Sequence, residues 1–192
     1  MAKLYFNYSS MNAGKSTSLL QAAYNYQERG MNALLLIAAF DDRAGKGRIA
    51  SRIGLSADAE IFSSADDVLK HVSKAHETSP VDAVLVDEAQ FLTAEQVWQL
   101  AQVADRLRIP VMCFGLRTDF QGRLFPGSAA LLAIADNLKE IKSICWCGRK
   151  ATMTARLGSD GKILEEGDQV VIGGNETYVS LCRNHWTRRK LG

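Results

Sequence analysis

The chain has 192 residues, 47% of them hydrophobic and 23% charged, with a formal net charge of +2. That length suits one full domain with at most a small appendage, and the composition suits a soluble globular protein with a sizeable core. The charge is too mild to make nucleic acid or an anionic membrane the main partner, and no apolar run approaches the ~18–20 residues that a membrane span needs.

Residues 1–7 read as a strand running straight into a motif, not as a signal peptide with its apolar centre and cleavage site. The expected location is therefore cytoplasmic, where disulfides are rare. Cys113, in an apolar strand, is then a core thiol, and the other three cysteines need a separate account.

In chain order, a strand over residues 3–8 leads through a short loop to a helix from Lys15 to about Arg29, with Gly30 placed as its C-terminal cap. Residues 33–38 are wholly apolar, the pattern of a buried parallel strand. Residues 41–58 are polar, glycine-rich and basic, and read as a long mobile loop. Its basic side chains Arg43, Lys46, Arg48 and Arg52 suit solvent better than a phosphate or nucleic-acid contact. A helix over about 65–77 follows, with His71 and His76 read as solvated. Next comes a buried strand over 83–86 that ends at Asp87-Glu88.

Thr93 and Gln96 have the spacing of a capping box, opening a helix to about Leu107. Residues 110–115 form a further buried strand. Strands alternating with helices predict an α/β fold, a parallel sheet with helices on both faces. After about Leu138 the pattern changes to short β-type segments with cysteines. The expected division is a larger α/β domain over residues 1–138 and a small second one over 139–192.

Between the first strand and first helix stands Ser9-Ser10-Met11-Asn12-Ala13-Gly14-Lys15-Ser16-Thr17. It matches the phosphate-loop pattern G-x-x-x-x-G-K-[ST] except at the first position, where Ser9 replaces glycine. Gly14 lets the backbone curl so that successive N–H groups face a phosphate, and the helix N-terminus adds partial positive charge. Lys15 would reach the outer phosphates of a nucleoside triphosphate, and the Ser16 hydroxyl would ligate Mg²⁺. Val84-Leu85-Val86-Asp87 has the form of the accompanying acidic strand, Asp87 holding the magnesium through water. The two motifs are expected at the C-terminal ends of neighbouring parallel strands.

Glu88 follows directly. It could polarise water, as in an ATPase, or accept a proton from a substrate hydroxyl, as in a kinase. The residues alone leave that choice open. The ATPase alternative, a nucleic-acid-binding protein with a zinc ribbon, needs a basic face interleaved with aromatics, which neither residues 43–52 nor Arg188-Arg189-Lys190 supplies. Cys145-Trp146-Cys147 and Cys182-Arg183-Asn184-His185 supply three thiolates and an imidazole, a closed tetrahedral set suited to structural Zn²⁺.

The Met-Asn-Ala-Gly-Lys-Ser loop, Val86-Asp87-Glu88-Ala89-Gln90-Phe91, Gly115-Leu116-Arg117-Thr118-Asp119-Phe120, Val171-Ile172-Gly173-Gly174 and the Cys/His set occur in that order. Together they resemble the type II, cytosolic thymidine kinases, particularly the bacterial members, over essentially the whole chain. The resemblance implies a P-loop, RecA-like sheet with a C-terminal zinc-binding domain that carries a lasso loop, here about residues 156–178.

It also implies ATP-dependent phosphorylation of thymidine at the 5′-hydroxyl with Glu88 as general base, and deoxyuridine as a further candidate acceptor. ATP and its Mg²⁺ would be held by Ser9, Ser10, Met11, Asn12, Ala13, Gly14, Lys15, Ser16, Asp87, Glu88, Ala89 and Gln90. The nucleoside set carried over by resemblance is Met11, Asp41, Phe91, Leu116, Phe120, Phe125, Thr154, Arg156, Gln169, Val170, Val171, Gly173 and Tyr178. The backbone around residues 169–171 would read the base. Feedback inhibition by dTTP and a homotetramer are further implications, with neither nucleic acid nor membrane as partner.

Overall fold

The computed structural model describes residues 1–39, 45, 47–169 and 177–192. The first part of the chain forms β1 (Leu4–Ser9), α1 (Lys15–Glu28), β2 (Ala33–Ala38), β3 (Arg48–Ala50), β4 (Ser56–Asp58), β5 (Glu60–Phe62), α2 (Val68–Thr78) and β6 (Ala83–Asp87). A one-turn 3₁₀ segment, Ala89–Phe91, leads to α3 (Ala94–Gln102), and then come β7 (Val111–Leu116), α4 (Pro126–Ile134) and β8 (Asn137–Glu140). The remainder is β9 (Ser143–Ile144), β10 (Lys150–Ala151), β11 (Met153–Arg156), β12 (Tyr178–Leu181) and α5 (Arg183–Arg188).

Six strands make one sheet in the order β5-β2-β6-β7-β1-β8, and every neighbouring pair is parallel. Register aligns Leu36, Val86, Cys113 and Phe6 across the four central strands. Alternation along each strand then sends Leu34, Leu36, Val84 and Val86 to one face, where they meet Val72 of α2, Leu100 of α3 and Leu131 of α4. Leu35, Ile37, Ala83 and Leu85 point the other way, onto Leu19 and Leu20 of α1. The doubly covered parallel sheet read from the apolar runs is what forms, and Cys113 is fully buried in it.

The topology corrects one expectation. β1 and β6, which carry the two phosphate-site motifs, are not neighbours, because β7 lies between them and pairs with both. The run 111–116 is apolar on both faces and so takes a central place. The residues read as a loop over 41–58 also differ, since β3 and β4 pair antiparallel within them. Ile49 is buried against the α1 side of the sheet and anchors that hairpin despite its polar, basic composition. Nor are the two histidines merely solvated: His71 Nε2 pairs with Glu60 at 2.5 Å, and His76 Nδ1 accepts the Val81 N–H at 2.9 Å.

The helix punctuation agrees with the sequence. Beyond α1, Gly30 adopts φ 70°. The Gly30 N–H donates to the Gln27 carbonyl (2.9 Å) and the Met31 N–H to that of Tyr26 (3.0 Å), satisfying carbonyls that the helix end would leave bare. At α3, Thr93 Oγ1 accepts the Gln96 N–H while Gln96 Oε1 accepts the Thr93 N–H, at 3.1 and 3.0 Å. The same Gln96 amide donates to the Ser63 and Asp66 carbonyls, so the cap also ties α3 to the turn before α2.

After β8 the strands pair only among themselves among the described residues, β9 with β10 and β11 with β12. Their core is small: Cys145, Ala151, Ala155, Leu181 and Cys182.

Candidate active site

The C-terminal ends of β1, β6 and β7 converge. Ser9 closes β1, and Gly14 at φ 85° turns the chain into α1, a conformation for which L side chains carry a penalty. Ser9 itself lies outside the left-handed region, so its strand geometry does not demand the glycine of the general motif. Its hydroxyl has work of its own, since Ser9 Oγ donates to the Ser10 carbonyl at 2.7 Å and accepts from Lys15 Nζ at 3.3 Å. The Ser10 carbonyl also accepts from Lys15 Nζ, at 3.2 Å. The buried Lys15 ammonium is thus held across the loop.

Ser16 Oγ donates to Asp87 Oδ2 at 2.9 Å, and Asp87 Oδ1 accepts the Glu88 N–H at 3.0 Å. Asp87 is fully buried. Burial, and then the adjacent Glu88 charge, push its carboxyl well above the ordinary carboxylate range, against the opposing pull of Ser16, the Glu88 N–H and Lys15. A buried acid so disfavoured as an anion, touching a hydroxyl, is a donor pair that a small hard cation would satisfy. Ser16 and Asp87 therefore fit Mg²⁺.

These residues face a cleft of about 450 Å³ lined by residues 11–17, Ile37, Asp87, Glu88 and the β3–β4 hairpin. Arg48 and Arg52 belong to that lining, which places part of the basic run beside the phosphate loop and not only in solvent. Ser9, Ser10, Ala89 and Gln90, assigned to ATP by resemblance, are buried and are not among the described lining residues.

Glu88 adopts φ 51°, ψ 40°, a left-handed conformation uncommon for glutamate. It is buried, and its Oε2 accepts from Gln90 Nε2 at 2.5 Å. The 3₁₀ turn that follows packs tightly between β7 and α4. A Cβ added at Gly127 would lie 2.6 Å from the Leu92 carbonyl oxygen, 2.7 Å from that of Ala89 and 3.0 Å from that of Gln90. Backbone cannot yield there as a flexible side chain would. Gly127→Ala is expected to destabilise the fold by about 2–3 kcal/mol, seen as a fall in Tm of roughly 5–10 °C by calorimetry. An unchanged Tm would show that the turn relaxes freely.

The nucleoside residues named by resemblance fall into two groups. Met11 is held at both ends, its N–H donating to Thr154 Oγ1 at 3.1 Å and its carbonyl accepting from Ser180 Oγ. Thr154 and Ser180 face one another across β11 and β12, two register positions from the Arg156–Tyr178 pair. Phe91 and Phe125 pack edge to face at 6.1 Å, and Leu116 lies at the end of β7 with its carbonyl accepting from Ser128 Oγ at 2.5 Å. The Arg156 guanidinium sits 3.8 Å from the Phe120 ring centroid, and its Nη1 donates to the Asp168 carbonyl at 2.6 Å. Asp41, Val170, Val171 and Gly173 lie outside the described residues, as do Arg43 and Lys46.

Two supports had no role in the sequence reading. Asp119 Oδ2 accepts from Gln169 Nε2 at 3.0 Å, while its Oδ1 receives the N–H groups of Gln121 and Arg123. Trp186 Nε1 donates to the Phe120 and Thr154 carbonyls at 3.2 and 3.1 Å. Asp119 stands inside a quoted motif, which was the available signal; nothing in the sequence pointed Trp186 at that partner.

The ligand atoms of Cys145, Cys147, Cys182 and His185 all lie within 4.8 Å of one another. His185 Nδ1 is 3.4 Å from Cys145 Sγ and 3.5 Å from Cys182 Sγ, and Cys147 and Cys182 Sγ are 4.0 Å apart. Zinc bonds of about 2.0–2.3 Å at tetrahedral angles separate ligand atoms by roughly 3.3–3.8 Å, so the set fits that ion. Burial alone would raise the Cys145 thiol, but N–H groups of Cys147 and Cys182 and the His185 ring bring it below its usual value. Cys145 thus favours the thiolate, the form a metal needs. At Cys147 the Arg149 N–H is outweighed by burial and the adjacent thiols, which push that thiol up.

A family model described as thymidine kinase matches residues 2–186. A thymidine kinase of Agrobacterium fabrum is 65% identical over 186 residues, covering 97% of this chain and 96% of the relative. One of Rhizobium meliloti is 64% identical over 191 residues, covering 98% of each. One of Shewanella oneidensis is 60% identical over 186 residues, with 97% of each covered.

Proposed function

The chain belongs to the thymidine kinase family and is a transferase, and on that premise we propose that it moves the γ-phosphoryl group of ATP to the 5′-hydroxyl of thymidine, giving ADP and thymidine 5′-monophosphate. The observation that carries this reading is the placement of Glu88 directly beside the Ser16–Asp87 pair, on the wall of the cleft that the phosphate loop lines. A base must sit within reach of both the acceptor oxygen and the transferring group, and this is the wall where those would meet.

In this account Lys15 and the backbone of the phosphate loop bind the β- and γ-phosphates, and Glu88 takes the proton from the 5′-hydroxyl as its oxygen attacks phosphorus. Mg²⁺, when held by Ser16 and Asp87, neutralises charge on the phosphate oxygens. The hairpin residues Arg48 and Arg52 add positive charge to the lining of the same cleft. Met11, Leu116, Thr154 and Tyr178 shape the nucleoside pocket, Phe91, Phe120 and Phe125 supply its aromatic sides, and Arg156 and Gln169 support its cover. Asp41 and the residues at 170, 171 and 173 complete the set by family resemblance.

The zinc set Cys145, Cys147, Cys182 and His185 is structural, with no ligand position left for chemistry. Residues 1–138 then act as the ATP-binding domain and residues 139–192 as the nucleoside-covering one, β8 being where they join. Feedback inhibition by dTTP, deoxyuridine as a second acceptor, a homotetramer and a cytoplasmic location complete the proposal. No described helix is long and apolar enough to cross a membrane.

The site of transfer is tested by ³¹P NMR of the product formed from thymidine. Coupling of phosphorus to the 5′ methylene protons is expected. Coupling to the 3′ methine proton instead would overturn the assignment.

A further inference from the structure

Gln90 is among the most completely buried polar side chains of the protein, 2% exposed, although two acids stand within three residues of it. Its amide is used at both ends. Nε2 donates to Glu88 Oε2 at 2.5 Å, and Oε1 accepts the Leu116 N–H at 2.9 Å. The orientation is forced. Turned over, the amide would set its oxygen against a carboxylate oxygen and its NH₂ against a backbone N–H, leaving two buried donors and two buried acceptors mispaired.

The space around it is equally restricted. A Cβ at Gly115 would come within 2.9 Å of Gln90 Oε1 and 3.0 Å of the Gln90 nitrogen, so β7 presents bare backbone to this side chain. Leu116 is in turn fixed through its carbonyl by Ser128 Oγ of α4.

A carboxylate on a residue with φ 51° would otherwise turn through its own side-chain torsions. Gln90 instead connects it to the end of a central strand whose next side chain, Leu116, stands in the nucleoside set. We propose that Gln90 is a positioning residue, a strut that holds the Glu88 carboxylate in register with the nucleoside pocket wall and does not itself contact ATP. This rests on the reading of Glu88 as the general base. Donors aimed at a carboxylate from a rigid element restrict its position without requiring rearrangement during the reaction.

The test is a double-mutant cycle with Glu88→Gln, Gln90→Leu and the pair, reading kcat, the thymidine KM and the directly titrated Kd for ATP with magnesium. Gln90→Leu is expected to lower kcat about 100-fold, the scale for misplacing a reacting group by an ångström. KM and Kd should stay within about threefold, since no contact to either substrate is lost. The double variant should be no slower than Glu88→Gln alone, because the strut acts only through the carboxylate.

A weaker ATP Kd with kcat kept would make Gln90 a donor contact and overturn the proposal. Multiplying losses in the double variant, or an unchanged kcat in Gln90→Leu, would also overturn it while leaving the base standing. Full activity in Glu88→Gln would instead remove the base, and the strut with it. Should Gln90→Leu not fold, Gln90→Glu keeps the size and the Leu116 bond but replaces the donor with a second carboxylate. It carries the same expectation, and an unchanged kcat in it would sink the proposal.

Discussion

Glu88→Gln is expected to lower kcat by about 10³-fold while ATP binding changes less than about threefold, the loss typical of removing a positioned general base. The substitution keeps the size of the side chain, so no cavity forms and the tight turn at 89–91 is undisturbed. The bonds from Lys15 to Ser9 and Ser10 and from Ser16 to Asp87 do not use the Glu88 carboxylate and are expected to persist. What disappears, on the proposed mechanism, is the group that takes the proton. A kinase must move that proton as the oxygen–phosphorus bond forms, and in the proposed mechanism no other side chain takes it. Rapid-quench measurement of the first turnover separates this loss from slow product release. A variant that turns over normally would assign the proton to another acceptor.

The second large effect concerns the Cys/His set. Cys145→Ser, or removal of the metal by a strong chelator, is expected to unfold residues 139–192 locally and to raise the thymidine KM at least tenfold, as roughly expected when a structural zinc contributes most of a small unit's folding energy. Among the described residues the hydrophobic core there comprises five buried residues, two of them cysteines of the Cys/His set, which is too little to hold the segment alone. The damage should spread by a definite route. Trp186 follows His185 and bonds the Phe120 and Thr154 carbonyls, and Thr154 and Ser180 both hold Met11 in the phosphate loop.

ATP affinity should suffer less than thymidine affinity, because Lys15 and Ser16 open α1 and Asp87 ends β6, both outside residues 139–192. Trp146 is stacked on the His185 ring at 4.2 Å, so its fluorescence reports the same event directly. Metal content measured beside fluorescence and KM closes the test. A Cys145→Ser protein that keeps its metal, emission and KM would show that the cluster is not what supports the nucleoside pocket.

Much of this architecture was legible in the sequence because apolar runs mark central strands plainly. β1, β2, β6 and β7 are such runs, and the Thr93–Gln96 box and Gly30 punctuate helices by local chemistry that needs no distant partner. The edge strands were not legible. β5 has three residues, and β8 (Asn-Leu-Lys-Glu) is largely exposed, so neither carries a period. The helix α4 went unread because Pro126-Gly127-Ser128 looks like a turn, although a proline in the first turn is compatible with a helix start. The β3–β4 hairpin was hidden by its polar residues, its burial resting on Ile49.

The site divides in the same way. Lys15, Ser16, Asp87 and the Cys/His set are named by residue types at a characteristic spacing, whereas the role of Glu88 came by resemblance. The supports are not. That Gln90 bonds Leu116, that Asp119 bonds Gln169 and that Trp186 bonds Phe120 are consequences of which strand ends meet, and β7 standing between β1 and β6 was not foreseen. Side chains that do chemistry are visible by type; those that position them become visible only with the register.

The most direct test of the account follows the label of γ-labelled ATP with Mg²⁺ and, in turn, thymidine, deoxyuridine, deoxycytidine, deoxyadenosine or no nucleoside. Label is expected to move to thymidine and deoxyuridine, to leave the other two untouched, and to release almost no free phosphate when nucleoside is absent. Free phosphate released at one rate whatever nucleoside is present would contradict the account, because water and not a nucleoside hydroxyl would then be the acceptor that Glu88 serves.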